Sequence, residues 1–397
     1  MEVMSARLAI TLACAVAGVA LAAMLGRASR AGPSIAFFEP DEAALRDAGE
    51  EAGRGALGPV RAFEDSTLKR FAVPPELARK IFPLDHPFNR YDPKTYFAHR
   101  PGLDARCEFA EHPDGAWRMR TNSLGMRRDE EVSTVKPDLR VLVAGDSHAD
   151  GLCNNAEGFP ARLEAELERR HPGRTIEILN ASRGGYGPYN YLGVLEKFID
   201  LEPDVFLVWF TSSNDLTGVL MLTRMFRGDK APQEPPDVRD RDARARSAGG
   251  AFSAGYHALS YFARFPGQLD YALGACRDVL AEVGRLCEHH GVRPLVLYLP
   301  PPICLPWEVE ARDAAEVRDL LALDAEDLAL AGAIKARFLA ACAELELSVL
   351  DLEPLFAEGA DAFFYRSDLH LNPRGHARVA EALVPLLDGA AELATAR

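Results

Sequence analysis

Four short polar clusters in this sequence contain the residue types that a serine nucleophile needs. They are Gly145–His148, Asn180–Gly185, Ser212–Asp215 and the stretch SDLHLNPRGH at 367–376. A serine hydroxyl becomes a nucleophile when an imidazole takes its proton, and a carboxylate must hold that imidazole in the right tautomer. Hydrogen-bond donors must also meet the charge that develops on the carbonyl oxygen. If the clusters converge in the fold, they predict acyl transfer.

The segments that precede these clusters are predicted strands of one parallel sheet. From Leu139 onward, short apolar runs alternate with segments that have apolar residues at helical spacing, which is the pattern of a parallel sheet with covering helices. The predicted strands are 139–145, 175–181, 204–210, 293–299 and 347–352. Sites in open parallel sheets form beyond the carboxyl ends of the strands, and the clusters lie at or near such ends.

The rest of the chain differs in character from this α/β pattern, and we predict three regions. Residues 1–30 form a membrane anchor or signal segment, 31–137 an irregular extension with a small hairpin around Pro113–Gly115, and 138–388 the α/β domain. Within that domain, residues 227–250 are charged, contain several prolines and glycines, and have almost no bulky apolar side chain. Such composition predicts a flexible insertion or lid.

In their order along the chain, the four clusters resemble the four sequence blocks of the SGNH hydrolases, also called GDSL hydrolases. The resemblance covers residues 138–388 and implies a flavodoxin-like three-layer sandwich with a parallel sheet. It implies that Ser147 is the nucleophile and that Asp368 and His370 complete a catalytic triad. TNSLGMR, residues 121–127, is similar to a stretch that precedes the first block in some membrane-tethered bacterial members.

The resemblance also implies an oxyanion hole made by Ser147, Gly185 and Asn214. Gly185 matches the glycine of the second block best, but the nearby Gly184 and Gly187 leave open which glycine donates and which only serves a turn. Asn214 matches the third block, or it caps the following helix. Ser212 stands where many members carry glycine. His148 is interpreted as a residue at the rim of the site.

The resemblance therefore implies a serine esterase that hydrolyses or transfers an acyl group, with O-acetyl on a carbohydrate or lipid as the expected substrate. The mechanism requires neither a metal nor a cofactor, and we expect none. One alternative is a non-catalytic module that binds glycan or organises a protein complex in the cell envelope. A less favoured alternative is a metal-dependent phosphoesterase, since Asp146 and His148, like Asp368 and His370, form an Asp-x-His pair.

Charge and one apolar segment bear on partners and location. A net charge of −14 argues against nucleic acid as a partner, because phosphate binding needs a basic surface. Residues 8–26 carry no charge and are long enough to span a bilayer as an uncleaved anchor, although a cleaved signal peptide would look similar. Arg27 and Arg30 slightly oppose export by the positive-inside rule. We nevertheless expect an extracytoplasmic catalytic domain, because a short leader before a single apolar helix is a common tether of exported enzymes.

Six cysteines follow the apolar segment, and none forms a CxxC pair, which argues against a zinc ribbon. An even number in an exported domain permits disulfides, whose pairing stays open. Cys107 and Cys153 lie in polar loops and are the better disulfide candidates. Buried free thiols are predicted on helical patterns at Cys276, Cys287 and Cys342.

Overall fold

The computed structural model describes residues 68, 70, 72–249, 253–308 and 313–393. The strands are β1 (Asn89–Asp92), β2 (Tyr96–His99), β3 (Asp104–Glu108), β4 (Ala116–Arg120), β5 (Leu139–Ala144), β6 (Ile176–Asn180), β7 (Val205–Thr211), β8 (Arg293–Leu299) and β9 (Ser348–Asp351). The α-helices are α1 (Pro75–Ile81), α2 (Ser147–Asp150), α3 (Phe159–Arg170), α4 (Pro188–Phe198), α5 (Ser212–Arg227), α6 (Pro236–Gly249), α7 (Ser253–Arg264), α8 (Pro266–His290), α9 (Ala314–Leu321), α10 (Ala325–Glu344) and α11 (Pro373–Leu393).

Five strands form a parallel sheet in the order β6-β5-β7-β8-β9. Numbered along the domain this order is 2-1-3-4-5, which is the flavodoxin-like arrangement. All five predicted strands are present, and the prediction of an α/β fold with a parallel sheet is confirmed. In this strand order the connection direction reverses between β5 and β7, so a crevice opens at their carboxyl ends.

Helices cover both faces of the sheet, which makes three layers. Along the central strand β7, Phe206, Val208 and Phe210 pack with apolar residues of α4, α5, α8 and α10. Leu207 and Trp209 face the other side and pack with residues of α3 and α11. Because both faces are covered, β5, β6 and β7 are buried along their whole length, and their sequences are mostly aliphatic and aromatic.

The N-terminal region folds onto the α/β domain. Where the sequence predicts an irregular extension at 31–137, the described part holds α1 and two antiparallel hairpins, β1–β2 and β3–β4. The hairpin predicted around Pro113–Gly115 joins β3 to β4. Contacts with α4 order the region: Arg70 forms a buried ion pair with Glu196, and Lys94 Nζ donates to the Glu196 carbonyl oxygen at 2.6 Å.

The segment 227–250, predicted to be a flexible insertion, contains α6. This helix packs against α9 and α7, and Val238 and Ala245 are its buried apolar side chains. The sequence pattern missed this packing because so few apolar residues carry it. The mobility of the segment stays a prediction, as do the domain boundaries.

No described helix is both long and apolar enough to cross a membrane. The predicted span at residues 8–26 lies outside the described residues. Cys276, Cys287 and Cys342 are buried free thiols, as predicted. The expectation of a disulfide at Cys107 and Cys153 is wrong, because both are buried free thiols, and burial raises their pKa values to about 11 and about 12.

Candidate active site

Ser147 stands at the carboxyl end of strand β5, next to the central strand β7, as the first residue of the short helix α2. Asp146 is the N-cap of that helix, and its carboxylate accepts a hydrogen bond from the His148 N–H at 3.0 Å. Gly151 ends the helix with φ of +84°. The chain therefore leaves the strand in one sharp turn that places the Ser147 side chain at the edge of the sheet.

The structure brings Ser147, His370 and Asp368 into contact. His370 Nε2 lies 2.7 Å from Ser147 Oγ, and Asp368 Oδ2 lies 3.3 Å from His370 Nδ1. Ser147 and His370 are buried, whereas Asp368 is partly exposed. A neutral imidazole with its proton on Nδ1, facing a carboxylate, presents an unprotonated Nε2 to the hydroxyl. This arrangement can remove the serine proton.

The residues after His370 fix the loop that carries it. Asn372 Oδ1 accepts hydrogen bonds from the N–H groups of Arg374 and Gly375, at 2.9 and 3.0 Å, and so caps the start of α11. A Cβ at Gly375 would lie 2.3 Å from the Phe363 carbonyl oxygen, so only glycine fits there. The NPRG stretch therefore holds the histidine loop against the helix that follows it.

Three glycines could each supply the backbone N–H for an oxyanion hole, and Gly185 is the one whose N–H can donate to an added oxygen. The Gly184 N–H donates to Asp150 Oδ2 at 3.0 Å, and the Gly187 N–H donates to a side-chain oxygen of α4 at 2.9 Å. In the part of the chain that the structure describes, the N–H groups of Gly185 and Ser147 meet no acceptor. Gly185 is exposed and has φ of +85°, a conformation that favours glycine.

Asn214 lies on the first turn of α5, at the end of β7 and beside β5. Its Nδ2 donates to Asp146 Oδ2 at 3.0 Å. The Nδ2 atom of an amide can only donate, so this contact orients the amide nitrogen towards the nucleophile turn. A primary amide has two N–H groups, and the second can serve a substrate oxygen.

The third cluster forms its turn without the glycine that many SGNH hydrolases have. Ser212 is helical, as the first residue of α5, and needs no left-handed conformation. Asp215 holds this turn because its two oxygens accept hydrogen bonds from the Thr211 N–H and the Tyr191 hydroxyl, each at 2.8 Å. Burial, reinforced by the charge of Asp146, raises the pKa of Asp215 well above its ordinary value.

Two further histidines lie close to the site. The His148 ring stacks on the His370 ring with centroids 4.7 Å apart. The interpretation of His148 as a rim residue is wrong, because only 3% of it is exposed. Burial, followed by the charge of His370, holds the pKa of His148 well below its usual value, and burial lowers that of His376 to about 3. Both rings are therefore neutral near pH 7, and the histidine whose Nε2 lies against Ser147 Oγ is His370.

Sequence reasoning missed the groups that hold these elements together. Asp146 and Asp150 bracket α2, and Asp150 contacts His99 and Arg127 from the N-terminal region. One signal was present: Asp150 follows Ser147 by only three residues in the sequence. Another was TNSLGMR, whose last residue is Arg127, but nothing local indicates that it reaches α2.

The two Asp-x-His pairs do not form a metal site. In the described residues there is no group of three or more His, Cys, Asp or Glu side chains placed to hold a metal ion. Asp146 instead accepts hydrogen bonds from Asn214 and His148, and His370 contacts the serine. The geometry thus fits a serine nucleophile better than a pair of metal ions.

No family model matches this sequence, and the search of curated proteins also found no match. Among solved structures, the chain is similar to TesA, with 16% identity and a TM-score of 0.38, over 63% of this chain and 99% of TesA. It is similar to Axe2, an acetylxylan esterase from Geobacillus stearothermophilus, with 15% identity and a TM-score of 0.35, over 64% of this chain and 95% of Axe2. It is also similar to the acetyl xylan esterase AlAXEase, with 12% identity and a TM-score of 0.36, over 63% and 100% of the two chains. Because these scores are low, the functional argument rests on the geometry of the site.

Proposed function

We propose that this protein is a serine esterase of the SGNH type. The observation that carries the proposal is the 2.7 Å contact between Ser147 Oγ and His370 Nε2 at the carboxyl edge of the sheet. Asp368 on the far side of the imidazole supports it, as do the Gly185 and Asn214 groups around the same edge. Together they supply a nucleophile, a base and donors for an oxyanion.

In the acylation step, Ser147 Oγ attacks the carbonyl carbon of an ester while His370 Nε2 takes its proton. The carbonyl oxygen becomes an oxyanion that accepts hydrogen bonds from the N–H groups of Ser147 and Gly185 and from Asn214 Nδ2. Asp368 stabilises the imidazolium that forms. The intermediate then expels the alcohol, which receives the proton from His370 Nε2, and an acyl-serine remains.

In the deacylation step, His370 Nε2 takes a proton from a water molecule that attacks the acyl-serine. As the acid leaves, His370 Nε2 returns the proton to Ser147 Oγ. A sugar hydroxyl in place of water would transfer the acyl group instead. We propose acetyl as the acyl group and a carbohydrate or lipid as its carrier. We propose, too, that residues 8–26 tether the enzyme with its catalytic domain outside the cytoplasm.

The test is hydrolysis of p-nitrophenyl acetate by the full chain, by Ser147→Ala, and by Ser133→Ala as a control at an exposed serine. We expect Ser147→Ala to lower kcat by about 10³-fold or more, because the nucleophile of a triad is lost. Ser133→Ala should match the wild type, and EDTA should change neither. A series of acetyl, butyryl and octanoyl esters then tests whether acetyl is preferred.

Three results would contradict the proposal. Hydrolysis that survives in Ser147→Ala would exclude the serine as nucleophile, and hydrolysis lost to EDTA would favour the metal-dependent alternative. A wild type that neither turns over esters nor reacts with a fluorophosphonate probe would favour a non-catalytic binding module.

A further inference from the structure

We infer that Asp150, held by His99 and Arg127 of the N-terminal region, is a positioning residue that aims the Gly185 N–H at the oxyanion. The inference rests on the proposed function and extends it to residues that lie outside the predicted catalytic domain. It assigns a role in catalysis to a part of the chain that precedes the first SGNH block.

Asp150 joins the nucleophile helix to the turn that carries the oxyanion glycine. It is the last residue of α2, three positions after Ser147. Its Oδ2 accepts a hydrogen bond from the Gly184 N–H at 3.0 Å. His99 Nε2 lies 3.0 and 3.1 Å from its two oxygens. A single carboxylate therefore links α2, the turn that follows β6, and strand β2.

Hydrogen bonds hold the two peptides on either side of the Gly184 Cα atom, and the second of these peptides carries the Gly185 N–H. The Gly184 N–H is fixed by Asp150, and the Gly184 carbonyl oxygen accepts a hydrogen bond from Arg183 Nη1 at 3.4 Å. That carbonyl and the Gly185 N–H belong to one planar peptide unit and point in opposite directions. Glycines have no side chain to restrict this peptide. The bonds to Asp150 and Arg183 therefore set the direction of the Gly185 N–H.

This cluster is closed to solvent and places two arginines and a histidine around one carboxylate. His99, Arg127, Asp150 and Arg183 are each at most 6% exposed. Nη1 atoms of the two arginines lie 3.4 and 3.5 Å from the Asp150 oxygens. Burial alone would raise the pKa of Asp150, but His99 and the arginines hold it well below its usual value. The carboxylate therefore stays ionised and acts only as an acceptor.

Arg127 of the N-terminal region also binds the end of α2 directly. Arg127 Nη1 donates to the carbonyl oxygens of Asp150 and Gly151 at 2.8 and 2.7 Å, and its Nη2 donates to that of Cys153 at 2.7 Å. These bonds satisfy the carboxyl end of α2. The turn of the TNSLGMR stretch packs on His99, since a Cβ at Gly125 would lie 2.7 Å from the His99 carbonyl oxygen. The stretch thus holds both His99 and Arg127 against the helix of the nucleophile.

The first test compares Asp150→Asn with Glu177→Gln in the full chain. Glu177 is an equally buried carboxylate that accepts a hydrogen bond from Arg140 Nε at 2.7 Å, on β6 far from the strand's carboxyl end. Both variants neutralise a buried, arginine-bound carboxylate, but only Asp150 contacts the Gly184 N–H. We expect kcat for p-nitrophenyl acetate to fall about 10- to 100-fold in Asp150→Asn, with KM unchanged, and to stay near wild type in Glu177→Gln. Loss of a whole oxyanion donor lowers kcat by about 10²- to 10³-fold, and a misdirected donor should lower it less.

The second test uses the pair His99→Gln and His99→Leu and keeps the inference testable if Asp150→Asn does not fold. The Nε2 of glutamine can replace the Nε2 donor of the imidazole, whereas leucine fills the space without a donor. We expect His99→Gln to keep most of the wild-type kcat and His99→Leu to lose at least about 10-fold.

Rates are normalised to the Ser147 sites that a fluorophosphonate titrates, so that misfolded protein is not counted. The inference is overturned if Asp150→Asn loses no more kcat than Glu177→Gln, or if His99→Gln and His99→Leu fall equally. Hydrolysis that persists in Ser147→Ala would instead overturn the proposed function, which keeps the two failures apart.

Discussion

Replacing Asn214 with alanine separates a role in catalysis from a role in folding. The substitution removes the amide whose Nδ2 donates to Asp146 Oδ2 at 3.0 Å. It leaves the buried Asp146 with the hydrogen bond from the His148 N–H. It also removes the N–H that we propose for the oxyanion. Asn214 is only half-buried, so the loss of its side chain leaves the other contacts of α5 in place.

In Asn214→Ala, the expected loss of stability is smaller than the expected loss of activity. A hydrogen bond to a charged group contributes about 1.5–3 kcal/mol, and the partial exposure of Asn214 favours the lower end of this range. Domains are stable by about 5–15 kcal/mol, so the Asn214→Ala protein should remain almost fully folded. One oxyanion donor contributes about 10²- to 10³-fold to kcat, which corresponds to about 2.7–4 kcal/mol in the transition state. Unfolding therefore cannot account for the expected loss of activity.

The assay measures kcat and KM with p-nitrophenyl acetate, together with the free energy of unfolding in urea. Asn154→Ala is the control, since Asn154 is also half-buried and loses two side-chain hydrogen bonds, from the Arg118 N–H and to Glu157, away from Ser147. We expect kcat to be lower by about 100-fold or more in Asn214→Ala and to equal that of the wild type in Asn154→Ala. A folded Asn214→Ala with kcat within about threefold of wild type would refute the assignment, since a lost donor should cost about 10²-fold. A raised KM at unchanged kcat would mean that Asn214 binds the ground state instead.

Three further outcomes are expected. A Cβ at Gly145 would lie 2.6 Å from the Cβ atoms of Ala149 and Trp209, so Gly145→Ala should lower the free energy of unfolding by about 3 kcal/mol or more; a wild-type urea midpoint would contradict the turn geometry. Leu369 is buried with residues of α6, α7 and α9, so Leu369→Ala should lower the free energy of unfolding by about 2–3 kcal/mol and should also lower kcat. An unchanged free energy of unfolding would count against this packing. In the folded protein, burial lowers the pKa of His376 to about 3. In the unfolded chain, His376 takes up a proton as the pH falls below about 6.5. The contribution of neutral His376 to the free energy of unfolding is therefore fully present above about pH 6.5 and falls by up to about 5 kcal/mol towards about pH 3. In urea titrations at several pH values, His376→Gln should make the free energy of unfolding depend less steeply on pH. An unchanged pH dependence would contradict this prediction.

Much of the fold and part of the site follow from local sequence. A strand buried on both faces must be apolar along its length, so β5, β6 and β7 are visible as aliphatic runs. The clusters at their ends are visible because a sharp turn and a helix cap need glycine, aspartate, serine or asparagine. Ser147, Asp368 and His370 stand in such clusters, and the structure places the three in contact.

The tertiary structure decided how these pieces are held. The choice of Gly185 over Gly184 depends on which N–H already has an acceptor, and that acceptor, Asp150, comes from another strand end. The contact between His99 and Asp150 joins positions 51 residues apart. The packing of α6 rests on a few buried side chains that composition does not reveal. Periodicity reports only which face of an element is buried, whereas the partner of a buried polar group is set by how distant elements meet.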